Sequence, residues 1–89
     1  MSAKEMFEEL GFKQTICINM NLKEHRQIEY ENIYEEYIKI TISFFDDSFY
    51  AQLYYKEDGV VFKNVGGCAI YKELLDAINK QCQELGWIE

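Results

Sequence analysis

The residues able to do chemistry are few, and their spacing is poor. The cysteines are Cys17, Cys68 and Cys82, and the one histidine is His25. A zinc site needs ligands clustered at short spacing, and no cysteine pair here meets that requirement. No metal and no cofactor is therefore expected. A cysteine nucleophile needs a base to take its proton. His25 is the only histidine, and it stands in a charged run, Lys23-Glu24-His25-Arg26, that reads as a solvated turn. Asp46 and Asp47 are adjacent carboxylates, but neighbours in a strand point to opposite faces and neighbours in a turn meet water. Gly66-Gly67 lacks the spaced glycines and the lysine of a phosphate loop. No catalytic residue is assigned, and a non-enzymatic protein is expected.

The one enrichment that fits a binding role lies in the middle of the chain. Tyr30, Tyr34, Tyr37, Tyr50, Tyr54 and Tyr55 fall there, among Glu29, Glu31, Glu35, Glu36, Asp46, Asp47 and Glu57. Tyrosine is over-represented at protein interfaces. It also favours strands in its own right, and edge acids discourage sheet-to-sheet pairing. The residues expected to contact a partner are Tyr50, Gln52, Tyr54, Tyr37, Glu29 and Glu31.

Composition narrows the partner. The chain has 89 residues, sized for one domain spanning 1–89, and a formal net charge of −7. Phosphate backbones are held by lysine and arginine, so direct nucleic-acid binding is not expected, whereas a protein with a basic surface is. Three cysteines without paired spacing argue against a disulfide framework; they read as core or near-core residues. The opening MSAKEMFEEL is not a signal-peptide pattern, and no apolar run approaches the length of a membrane span. A cytoplasmic protein is expected.

The elements that must position these residues follow from periodicity. Ser2 with Glu5 makes a capping box for a helix over Ala3–Leu10, with Met6, Phe7 and Leu10 on one face. Alternation predicts a strand over Thr15–Leu22, with Ile16, Ile18, Met20 and Leu22 on one side and Cys17, Asn19 and Asn21 on the other. Ile28 and Tyr30 alternate with Glu29 and Glu31, and a bend or bulge is expected within Asn32–Glu36. Tyr37–Phe45 is the clearest strand, with Ile38, Ile40, Ile42 and Phe44 on its apolar face. Asp46-Asp47-Ser48 is a turn, and Phe49–Lys56 returns with Phe49, Ala51, Leu53 and Tyr55 inward and Tyr50, Gln52 and Tyr54 outward. Glu57-Asp58-Gly59 is a second turn, Val60–Val65 the last strand, and Gly66-Gly67 a loose joint. A helix over Tyr71–Leu85 carries Leu74, Ala77, Ile78, Cys82 and Leu85 on one stripe. Helix, hairpin-linked strands, helix gives an α+β fold in two layers: an antiparallel sheet of four to five strands with both helices on one face.

Both helices stop on the same signal. Glu9-Leu10-Gly11-Phe12 and Glu84-Leu85-Gly86-Trp87 each place a glycine before a large aromatic residue, the pattern of a Schellman stop whose aromatic folds back onto the last turn. The segments around these stops, AKEMFEELGF at 3–12 and AINKQCQELGWI at 77–88, resemble small phage and prophage proteins of Gram-positive bacteria. The likeness covers about a quarter of the chain, and the group has no assigned activity to transfer. The resemblance implies a phage- or prophage-encoded protein that inhibits a host protein, such as a component of a CRISPR-Cas defence system, by occluding its surface. The alternatives are a small-ligand protein that binds or sequesters a signalling nucleotide, and an accessory protein of structural role only. A nucleotide site would form at an oligomer interface from Arg26, Lys39, Lys56 or Lys63 and a tyrosine ring.

Overall fold

A computed structural model describes residues 1–20, 25–56, 59 and 61–88. The chain forms α1 (Ala3–Glu9), β1 (Lys13–Met20), β2 (His25–Tyr34), β3 (Ile38–Phe45), β4 (Ser48–Tyr55), β5 (Lys63–Gly67) and α2 (Lys72–Glu84). The strands pair antiparallel in sequence order, β1-β2-β3-β4-β5. The expected α+β architecture is present, an antiparallel five-stranded sheet with an N-terminal and a C-terminal helix.

Local chemistry sets the joints. The Ser2 hydroxyl accepts the Glu5 N–H at 3.1 Å, and the Glu5 carboxylate accepts the Ser2 N–H at 2.9 Å. Those bonds to Ser2, the backbone one first, hold the Glu5 carboxyl below the usual carboxylate range. The two glycine stops share the same pair of closing bonds. Phe12 N–H reaches Phe7 O at 2.9 Å and Gly11 N–H reaches Glu8 O at 3.0 Å; Trp87 N–H reaches Cys82 O at 2.9 Å and Gly86 N–H reaches Gln83 O at 3.0 Å. Both glycines are left-handed, with φ of 92° and 79°. Phe45 and Ser48 close a two-residue turn in which Asp46 and Asp47 have φ of 53° and 60°, the twist that suits a hairpin and that aspartate tolerates.

Because cross-strand partners share a face, the register defines two sides of the sheet. Ile28, Tyr30 and Asn32 of β2 stand opposite Phe44, Ile42 and Ile40 of β3, and those three opposite Phe49, Ala51 and Leu53 of β4. This is the helix side. Phe7, Phe12, Leu74, Ala77 and Ile78 close over Tyr30, Ile42 and Phe44 to make the core. Phe7 stacks on the Tyr30 ring with centroids 4.0 Å apart, and the Tyr30 hydroxyl donates to Gln81 Oε1 at 2.6 Å. The Ala3 N–H donates to Glu84 Oε2 at 2.8 Å, joining the start of α1 to the end of α2.

Several boundaries differ from the expectation. His25 and Arg26 begin β2 rather than sitting in a turn, because the alternation of Ile28 and Tyr30 extends back along the ladder; Asn21, Leu22, Lys23 and Glu24 lie outside the described residues. The bend expected within Asn32–Glu36 begins only at Glu35: β2 runs to Tyr34, and Glu35 and Glu36 turn with φ of 50° and 68°. The last strand is Lys63–Gly67; Val61 and Phe62 of the expected Val60–Val65 precede it, and Val60 lies outside the described residues. Gly66-Gly67 is ladder rather than joint, pairing with Leu53 and Gln52. Of the Glu57-Asp58-Gly59 turn, only Gly59 is described, with φ of 68°. Of the cysteines expected in or near the core, Cys17 is exposed on an edge strand, whereas Cys68 and Cys82 pack against the core.

Two outcomes follow for stability. Gly86→Ala meets no neighbouring atom, so its cost is that of a left-handed alanine, about 1 kcal/mol. Gly11→Ala adds a Cβ 3.0 Å from Asn32 Nδ2, which itself donates to Leu10 O, and should lower the melting temperature further than Gly86→Ala. Equal shifts in the two melts would contradict this geometry. Tyr30→Phe leaves the buried Gln81 Oε1 without its donor and should cost about 1–3 kcal/mol. Burial, above all, raises the Tyr30 phenol to about 12. The folded state thus binds this proton more tightly than the unfolded chain does. The stability it contributes is complete below the ordinary tyrosine pKa of about 10 and is lost as pH rises from there toward 12. Ultraviolet titration should show a late tyrosinate step that Tyr30→Phe removes.

Candidate functional site

The side of the sheet turned away from the helices is the candidate site. Its rows follow from register. Ile16, Glu29, Ser43 and Tyr50 form one row; Lys13, Glu31, Thr41, Gln52 and Gly67 the next; Ile33, Lys39, Tyr54 and Asn64 a third; Ile18, Gln27, Phe45 and Ser48 a fourth. Strand alternation puts the residues of β2, β3 and β4 there, one residue out of phase with Ile28, Tyr30, Ile42 and Phe44, and register shifts bring Lys13 with Ile16, and Asn64 with Gly67, onto the same side.

Five of the residues expected to contact a partner share this face: Tyr50, Gln52, Tyr54, Glu29 and Glu31. The sixth, Tyr37, lies in the turn between β2 and β3, with β3 beginning one residue later than expected. Its N–H bonds Tyr34 O, its carbonyl accepts Lys56 N–H, and its side chain is exposed. Of the six tyrosines in the middle of the chain, only Tyr50 and Tyr54 reach the outer face. Tyr30 is buried on the other side, and Tyr34 and Tyr55 share that side, exposed where the helices do not cover it.

The polar groups of the outer face hold one another in place. Glu29 accepts the Ser43 hydroxyl at 2.7 Å on Oε1 and the Thr15 hydroxyl at 3.1 Å on Oε2. Thr15 reaches it because β1 bulges between Gln14 and Ile16. The Tyr54 hydroxyl donates to Gln52 Oε1 at 2.8 Å. Tyr50 is half exposed. Its ring adds contact area at small entropic cost, having only two side-chain torsions to fix.

Positive charge gathers at the opposite end. Lys39 Nζ sits 4.7 Å from the Tyr54 ring centroid and 4.8 Å from that of Phe62, and Lys56 Nζ sits 5.0 Å from Phe62. These are cation–π distances. The outer face thus carries carboxylates over β2, with Lys13 of β1 beside Glu31, and ammonium groups over β3, β4 and the approach to β5. Among the described residues the one ion pair is Lys72 with Asp76, on α2. Arg26, grouped with these lysines in the sequence, lies on β2, where its backbone pairs with Asn19 of β1.

The sequence pattern missed the apolar part of this face. Ile16 and Ile18 lie on it, opposite Glu29 and Gln27, and not beside the core. Ile33 and Phe45 lie there too and are exposed. Ile33 and Phe45 carried a signal, since each stands out of phase with the apolar residues of its own strand. Ile16 and Ile18 did not: β1 has one apolar face, and nothing local says which way it turns.

Among the described residues no group of histidines, cysteines and carboxylates is arranged to hold a metal. Among them, too, no helix is long and apolar enough to cross a membrane. Burial raises the Cys68 and Cys82 thiols above the ordinary range, which lowers their thiolate fraction near neutral pH. No protein-family model, curated protein or solved structure matches the chain.

Proposed function

We propose that the chain is a non-enzymatic binding protein that lays its outer sheet face on a basic surface of a host protein and occludes it. The observation that carries this reading is the composition of that face: Tyr50 and Tyr54 beside Glu29 and Glu31, with Ile18, Ile33 and Phe45 exposed around them. Aromatic anchors supply contact area, and carboxylates steer a cationic partner onto it. The net charge of −7 acts in the same direction at longer range. The resemblance of the chain ends to phage proteins supports a bacterial host protein as the target, an inhibited defence component among the candidates.

A second reading rests on a separate observation. Lys39 and Lys56, set against Phe62 and Tyr54, offer two ammonium groups beside aromatic rings. A phosphorylated nucleotide would use the charges for its phosphate and a ring for its base.

The two readings separate by experiment. For the protein partner, Tyr50→Ala with Gln52→Ala and Tyr54→Ala should weaken capture of the host protein at least tenfold while the melting temperature stays near that of the unsubstituted chain. Capture should also fall as salt rises. If host lysate yields no partner that the triple substitution releases, the occlusion reading fails. For the ligand, mass spectrometry of compounds freed by denaturing the purified protein should recover a phosphorylated species, lost in the Lys39→Ala, Lys56→Ala variant. Recovery of none, or equal recovery from that variant, removes the second reading.

A further inference from the structure

We infer that the free edge of β1 is a self-association surface, at which a second copy of the chain pairs its own β1 antiparallel to make one ten-stranded sheet. Strand β1 ends the sheet on one side, so one row of its backbone N–H and C=O groups faces away from β2. Such an edge is a template for another strand unless charge, proline or distortion blunts it. Of its eight residues only Lys13 is charged, none is proline, and its bulge lies near one end, between Gln14 and Ile16. The opposite edge is blunted. Strand β5 has five residues, two of them glycine, with Gly66 at φ of 126° and a register shift against Leu53/Tyr54.

Charge selects a second copy as the occupant. A chain of net charge −7 repels its own kind over most of its surface, but residues 10–23 contain no aspartate or glutamate. Strand β1 lies wholly within that window. Strand β1 itself brings no carboxylate to the pairing edge, and Glu29 beside it is held by the Thr15 and Ser43 hydroxyls.

Symmetry limits the register. A two-fold axis normal to the sheet keeps each face continuous only when paired residue numbers sum to an even value, because side chains alternate along a strand. Beyond the bulge the alternation is regular, and a sum of 34 keeps the faces continuous over Ile16, Cys17 and Ile18 of both copies. It sets Ile16 opposite Ile18 of the second copy on the outer face, and Cys17 opposite its own counterpart on the helix side. Ile18 and Cys17 are both exposed in the single chain. The two Lys13 residues then fall at opposite ends of the paired region, eight positions apart, about 27 Å in a strand. The outer faces of both copies join into one surface.

Sedimentation equilibrium of the full chain near 100 μM should return twice the 10.6 kDa chain mass. Ile18→Lys should return the single-chain mass with an unchanged circular-dichroism melt, since the side chain is exposed. A short bis-maleimide should couple the chains through Cys17, and Cys17→Ser should lose that product without needing any change in fold. A single-chain mass for the unsubstituted protein overturns the proposal. So does a dimer that survives Ile18→Lys, or a cross-linked product that survives Cys17→Ser.

Discussion

One buried phenol holds the layers of this molecule together. The Tyr30 ring lies in the sheet's inner face, takes the weight of α1 through the stacked Phe7 ring, and reaches α2 through its hydroxyl to Gln81. Its oxygen also accepts from Gln14 Nε2 of β1 at 3.3 Å. Two helices and two strands thus meet at a single side chain, and both polar groups buried there, the phenol and Gln81, are satisfied. A polar pair inside an apolar core specifies one arrangement, since any slip leaves a buried donor or acceptor unmatched. The helices cannot exchange places or shift by a turn without breaking it.

The outer face is a by-product of that arrangement. With both helices bound to the Tyr30 side, the other side of the sheet has no helix over it. Hydroxyl-to-carboxylate and phenol-to-amide bonds order its polar groups, and Lys39 is held by two rings. A surface ordered in advance loses less entropy when something docks on it.

How much of this was legible in the sequence depended on whether the signal was local. The capping box at Ser2 and the glycine stops at Gly11 and Gly86 are written in three or four residues and read correctly. So did the alternation of Ile38, Ile40, Ile42 and Phe44, since β3 lies between two partners and its pattern is clean. Ladder ends were harder. His25 and Arg26 look like turn residues by composition, and tertiary pairing overrides that preference. The alternation of Ile28 and Tyr30 with Glu29 and Glu31 put Tyr30 on the apolar side of β2, but the helices that bury it are distant in sequence and its bond to Gln81 has no local signal. The outer face was half visible: Tyr50, Gln52 and Tyr54 followed from the period of β4, but the side to which Ile16 and Ile18 turn depends on a register set by β2.

The pairing order of the strands carries a further meaning for how the molecule assembles. Every strand pairs with its neighbour in sequence, so the sheet closes through short loops, and each closure has a small entropic cost. The bond between Ala3 and Glu84 spans 81 residues and belongs to the opposite regime. The meander is therefore free to form while its two sides are still both bare. The docking of the terminal helices decides which side becomes interior, and an incomplete docking exposes Ile42, Phe44 and Tyr30 beside an edge strand that already lacks protective charge. In a crowded cell that interval, more than the finished fold, is when the chain is open to the wrong contacts.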